Sequence, residues 1–227
     1  MNPNKRKKKE MLILDAMESL ILEGKGDTCS VNEVARVANI AKGSVYYYFA
    51  SKEDIIMALI LRSYENLIEN CKTVLETKAN ALKKLELLFE AYYKQVSGSA
   101  VSSFLLMRIP NNEINGPPML TAYTCLPQSA DMHLKTITHI ITEITPVMNK
   151  IIEDGVNEGT FKCSFPDQTS QIVVTMFAFL FDVFIYKPSE QDYQAKLKAS
   201  AEIMERILET EKGSFSFLYE SPLSIVK

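Results

Sequence analysis

The sequence predicts an all-α protein of about nine helices, because apolar residues recur at helical spacing through most of its length. Two further observations agree. Glycine is scarce, 8 in 227 residues, while Leu, Ile, Lys and Glu are abundant. No Val/Ile alternation bounded by hairpin turns occurs, so no sheet is expected. The 47% apolar content supports a sizeable core, and the length suits one or two domains at roughly 100–200 residues each.

Residues 5–22 form the first helix, with Leu14, Met17 and Ile21 at helical spacing and Gly24 and Gly26 as its stop. Ser30, followed three residues later by Glu33, is a capping box. The hydroxyl accepts the Glu33 amide and the carboxylate reaches back. A short helix then starts at Val31 and buries Val31, Val34, Ala35 and Ala38. The period breaks at Asn39-Ile40-Ala41. Asn tolerates φ > 0, so Asn39 suits a tight left-handed turn, and Ile40 plugs the junction. A second short helix, 42–49, buries Val45, Phe49 and part of Tyr46. Ser51 with Asp54 three residues on opens a long helix, 52–76. Its stripe is Ile60/Leu61, Tyr64, Leu67/Ile68, Cys71 and Val74/Leu75.

Later helices cover 81–96, through Leu82, Leu85, Phe89, Tyr92 and Val96, and 100–108. Residues 110–118 form a loop. A helix over 129–157 carries Pro146, which should kink it, and Gly155 and Gly159 mark its end. Two final helices, 167–186 and 189–211, are separated by Lys187-Pro188. Residues 213–227 have no usable period.

Charge and cysteine usage narrow the function classes. The net charge is -3, but residues 1–54 hold 9 Lys/Arg against 8 Asp/Glu and the remainder 16 against 20. Five cations are consecutive, Lys5 to Lys9. They read either as a solvated tail or as a local nucleic-acid footprint. Cys29, Cys71, Cys125 and Cys163 are far apart, without a C-x-x-C pair, and no signal peptide is evident; free thiols fit a reducing cytoplasm. The longest apolar run, 172–186, has 15 residues broken by Thr175 and Asp182; a membrane span needs about 20. No nucleophile–base set, Gly-rich phosphate loop or metal-ligand cluster is present, and His133 and His139, six apart, do not share a helix face. An enzyme, a cofactor and a metal site are therefore not expected.

Residues 30–54 are two short capped helices joined by a three-residue turn, with a long helix behind. This is the layout of a helix-turn-helix, whose second helix enters the major groove. That helix reads Lys42-Gly43-Ser44-Val45-Tyr46-Tyr47-Tyr48-Phe49, with Lys42, Ser44, Tyr47 and Tyr48 expected on its exposed face. Three successive tyrosines point to different sides of a helix, so they are not all core. Rings in water gain nothing, whereas rings packed on a sugar-phosphate backbone with hydroxyls on phosphate oxygens do. Gly43 costs a helix roughly 1 kcal/mol against Ala but allows close approach. Lys52 adds charge at an amide-rich helix start.

Residues 12–60 resemble the DNA-binding domain of the TetR family of bacterial transcriptional regulators. The resemblance rests on Val34-Ala35, Ala38-Asn39-Ile40, Lys42 to Phe49 and Ser51-Lys52-Glu53. Glu158-Gly159-Thr160-Phe161 before the last two helices also agrees. The resemblance implies phosphate contacts from Ser30, Tyr47, Tyr48 and Lys52. It implies base-edge contacts from Asn32, Lys42, Ser44 and Tyr46, with Gly43 allowing approach; by donor–acceptor geometry Lys42 suits guanine and Asn32 adenine. Asn39 stands where the family usually has Gly, and Cys29 replaces a frequent Thr, which removes one phosphate contact.

The family likeness further implies a helix-turn-helix domain over 1–54 and a larger helical ligand-binding and dimerisation domain over 55–227. Phe104, Met107, Arg108, Tyr123, His133 and Phe177 are candidates to line a cavity for an unidentified small-molecule effector. The last two helices would form a homodimer seam, with Phe177, Phe181, Phe184, Tyr193, Leu197 and Met204 as candidates. Residues 172–186 are apolar nearly all round, so they need cover on two sides, as a seam or as a central core helix. The expected partners are a double-stranded DNA operator, a second copy and the effector, without a membrane. The chain reads as a cytoplasmic repressor released from a palindromic operator by ligand, or alternatively as an effector-independent or partner-controlled regulator or activator.

Overall fold

The computed structural model describes residues 3–98, 130–180 and 190–220, and side chains within 6–94, 134–180 and 191–220. Among them are nine α-helices, one 3-10 turn and no strand. Their bounds are α1 (Pro3–Leu22), α2 (Val31–Val37), α3 (Lys42–Tyr48), α4 (Lys52–Thr73), α5 (Ala81–Gly98), α6 (Ala130–Glu158), α7 (Pro166–Leu180), α8 (Glu190–Ile207) and α9 (Phe217–Glu220). The 3-10 turn, Val74–Glu76, closes α4.

Local chemistry sets the joints. Ser30 and Ser51 each cap a helix through a reciprocal box, with Glu33 and Asp54 as partners. Asn39 sits at φ 53, the left-handed state a tight α2–α3 turn requires. α6 runs unbroken through Pro146, which is exposed and has no amide proton to give the Thr142 carbonyl. Gly159, at φ 76, ends α6. Two donors beyond it, Thr160 and Phe161, return to the Gly155 carbonyl. Gly155 lies within α6, and the Phe161 ring occupies the space a side chain there would need.

One continuous core runs from Ile13, Met17 and Leu20 in α1, through Val34, Val45 and Leu59, to Ile151, Ile152 and Val173. α4 packs on α1 at one end and on α5 and α6 at the other. Residues without a readable period still complete this core: Phe215 and Leu218 are fully buried, and the Tyr93 hydroxyl donates to the Leu218 carbonyl at 3.5 Å. Ion pairs tie the body helices, Lys72 to Glu143 at 2.6 Å and Lys84 to Asp154 at 3.2 Å.

Three of the expected seam residues, Tyr193, Leu197 and Met204, lie inside the single chain at 2%, 1% and 0% exposure. Among the described residues, the large apolar side chains open here are Phe165, just before α7, Ile172 on α7 and Ile203 on α8. Phe177 turns inward as well, its ring centroid 4.9 Å from that of Phe89. Phe181 and Phe184 lie outside the described residues, as do Phe104, Met107, Arg108 and Tyr123. His133 lies on α6, with its side chain outside the described set.

Candidate nucleic-acid interface

α2 is placed by its cap. Ser30 Oγ accepts the Glu33 amide at 3.3 Å, and the Glu33 carboxylate accepts the Ser30 amide at 3.0 Å. The Ser30 hydroxyl is thus already engaged inside the chain. Asn32 projects from the first turn of α2, exposed.

α3 is held by two anchors, Val45 at 0% and Phe49 at 7% exposure. Successive side chains turn by about 100° around a helix. Tyr48 therefore falls on the flank nearest Val45, Tyr46 farther round and Tyr47 nearly opposite. The structure follows this wheel: Tyr47 is 65% and Tyr46 48% exposed, while Tyr48 is half-buried against the core. The sequence-based assignment is corrected for both outer rings, since Tyr46 is open and Tyr48 is partly enclosed. Ser44 is half-buried and Lys42 exposed.

The open residues form one polar-aromatic surface. The Lys42 ammonium stands 5.8 Å from the Tyr46 ring centroid, a cation–π distance. Tyr47 and Tyr48 meet edge to face at 5.1 Å. Nothing lies within 4 Å of where a Gly43 side chain would sit, so no internal packing demands glycine there. The surface can offer a cation, two phenol hydroxyls, an amide and a smooth backbone to a phosphate-lined groove.

Lys52 is placed differently from the residues around it. It is half-buried, and its ammonium donates to the Asp27 carbonyl at 2.6 Å and the Gly26 carbonyl at 3.4 Å. It ties the start of α4 to the turn after α1. A second tie was missed from sequence: the Arg62 guanidinium reaches Asp15 at 2.5 Å and Glu18 at 2.6 Å. The signal was the i, i+3 acidic pair on α1, but nothing in the sequence says which helix faces it. Burial pushes the Cys71 thiol up to about 12 and raises the Cys29 thiol as well, which disfavours their thiolate forms. Among the described residues no cluster of three or more His, Cys, Asp or Glu suits a metal, and no helix is long and apolar enough to cross a membrane.

Residues 13–59 match the family model for bacterial regulatory proteins of the tetR family, and residues 123–203 match the tetracyclin repressor-like C-terminal domain. The chain belongs to the TetR family. Head and body of this TetR-family regulator are thus matched separately, in the order the fold places them. Its relatives include the fatty acid metabolism regulator protein of Bacillus subtilis, 25% identical over 160 residues, 69% of this chain and 73% of that protein. The transcriptional repressor KstR2 of Mycobacterium tuberculosis is 31% identical over 67 residues, 30% of this chain and 34% of that protein. A transcriptional regulator from Cytophaga hutchinsonii superposes with a TM-score of 0.57 at 14% identity, covering 94% of this chain and 93% of that one. A TetR/AcrR regulator from Thermobifida fusca gives 0.53 at 14% identity, over 95% and 98%. At that identity these superpositions show the all-helical fold. The chain is a DNA-binding transcriptional regulator of this family, which is not a family of enzymes.

Proposed function

We propose that this TetR-family chain is a cytoplasmic homodimeric repressor, released from a palindromic operator when a small molecule binds its helical body. The open surface of α3 carries the reading. Tyr47 is the most exposed aromatic there, and Tyr46, Lys42 and Gly43 stand beside it without an internal packing role. In this reading Lys42, Ser44, Tyr46 and Asn32 meet base edges, Gly43 lets the backbone approach, and Tyr47 contacts phosphate. Ser30, Tyr48 and Lys52 act mainly by setting the angle of the helices, because their polar or apolar groups are already engaged within the chain.

One short helix reads only a few base pairs, so two copies on a two-fold site are needed for useful affinity. We assign the seam to the open apolar residues of the last helices, Ile172 and Ile203. The head then spans 1–54 and the body 55–227, with α4 belonging to both in mechanical effect. Ligand that favours one tilt of α4 changes the spacing of the two α3 helices and lowers DNA affinity by its differential binding to the two states.

Gel shifts on a duplex selected from a random pool test the DNA part. Lys42→Ala with Tyr47→Ala should cost at least about tenfold, since each good base pairing is worth roughly 1–3 kcal/mol; unchanged binding would overturn the assignment. Sedimentation of the free protein should give a dimer, and Ile172→Glu should yield monomer. The name borne by the B. subtilis relative makes fatty acids the first compounds for the effector panel. A compound that binds without changing DNA affinity would defeat the release mechanism.

A further inference from the structure

The reading surface leaves the basic run at the N-terminus without a role. α1 starts at Pro3, and the side chains of Arg6, Lys7, Lys8 and Lys9 are all exposed. Among the described residues none of the four takes part in an ion pair or hydrogen bond. They occupy the positive end of a helix whose first turn holds no acid, where a cation is disfavoured. Burial does not explain the segment either, because the first core side chain of α1 is Ile13.

The charge balance shows what the run changes. Residues 10–54 contain only four cations, Lys25, Arg36, Lys42 and Lys52, against eight Asp/Glu. Two of those four are engaged, Lys25 on Glu23 at 2.7 Å and Lys52 on the loop carbonyls. A head with a net charge of -4 over those residues repels a polyanion. The five charges of Lys5 to Lys9 reverse that sign for residues 1–54. Residues 3–10 include no large apolar side chain, so insertion among lipids, which needs an apolar face, is disfavoured, whereas phosphate binding needs only the charge.

We propose that residues 5–9 form a basic arm that grips the phosphates of duplex DNA outside the groove met by α3, supplying most of the sequence-independent attraction of the head. This rests on the DNA reading given to α3 and assigns the two regions separable tasks. α3 discriminates between sequences; the arm holds any duplex. Because each neutralised phosphate releases counterions, the arm writes itself into the salt dependence of binding.

The test uses the full chain with Lys5, Arg6, Lys7, Lys8 and Lys9 all changed to Gln. Binding is measured from low to high salt on two duplexes, one selected from a random pool by the wild-type chain and one of unrelated sequence. The arm variant should flatten the log–log salt slope by about 4 per protomer and lose at least about tenfold in affinity at low salt, equally on both duplexes. Its melting temperature should hold or rise. Lys42→Ala with Tyr47→Ala should instead abolish the preference between duplexes while leaving the slope on unrelated DNA intact; if it does not, the α3 reading fails and the arm stands. An unchanged slope in the arm variant overturns the arm. So does an equal loss when Lys78, Lys83, Lys150, Lys162 and Lys212 of the body are changed to Gln, since net charge alone then explains it. Loss confined to single-stranded RNA of the same length, with duplex binding intact, also overturns it.

Discussion

Tyr47 in the head and Tyr193 in the body are the same side chain in opposite surroundings. Tyr47 is 65% exposed on a seven-residue helix, while Tyr193 is 2% exposed between long helices. Burial pushes the Tyr193 and Tyr93 hydroxyls above the usual phenol pKa, Tyr93 to about 12, so both phenols stay protonated at any physiological pH. In the body a tyrosine is volume with a satisfied hydroxyl; in the head it is an unspent contact. An exposed aromatic on a short helix anchored from behind is informative about function in a way that a buried one is not.

The contrast is broken most severely in the body. Tyr193→Ala should destabilise the fold by about 3–5 kcal/mol, as for other large buried aromatics, seen as a lower urea midpoint at an unchanged slope. Asn39→Val should cost about 1–2 kcal/mol, because a β-branched residue resists the left-handed turn, and Asn39→Gly should not; equal stabilities would mean the turn relaxes. Tyr47→Ala should shift stability by less than about 0.5 kcal/mol while DNA affinity falls, so a large drop in melting temperature would erase the distinction. The smallest effect concerns Glu143. Its hydrogen bond and attraction to Lys72 hold its carboxyl below the usual carboxylate range. A depressed folded value means that the pair's contribution is complete at neutral pH and fades as pH falls through that value. Carbon-detected titration by NMR should place Glu143 below a free glutamate, and Lys72→Ala should bring it back up.

The head was legible because its determinants are local. Ser30 with Glu33, Ser51 with Asp54 and the turn at Asn39 each act within four residues, and the structure shows all three. The orientation of the tyrosines was less legible. Tyr46 and Tyr48 exchange places because the anchors Val45 and Phe49 fix a phase that a run of three identical residues does not reveal. In the body, Leu197 and Met204 formed a visible stripe, but a stripe does not say whether it faces its own core or a second copy. Phe215 and Leu218 escaped notice because a four-residue helix after a glycine has no period to detect, although Gly213 and Phe215 donate their amides to Glu205.

The ties at Lys52 and Arg62 have a geometric consequence. They fasten α4 to α1 and its following turn at two points ten residues apart, about 15 Å along the helix axis. Two fixings at that separation suppress swivelling that a single joint would permit. In the release mechanism proposed above, a displacement at the far end of α4, where Lys72 meets Glu143, would carry α1 and its following turn with it.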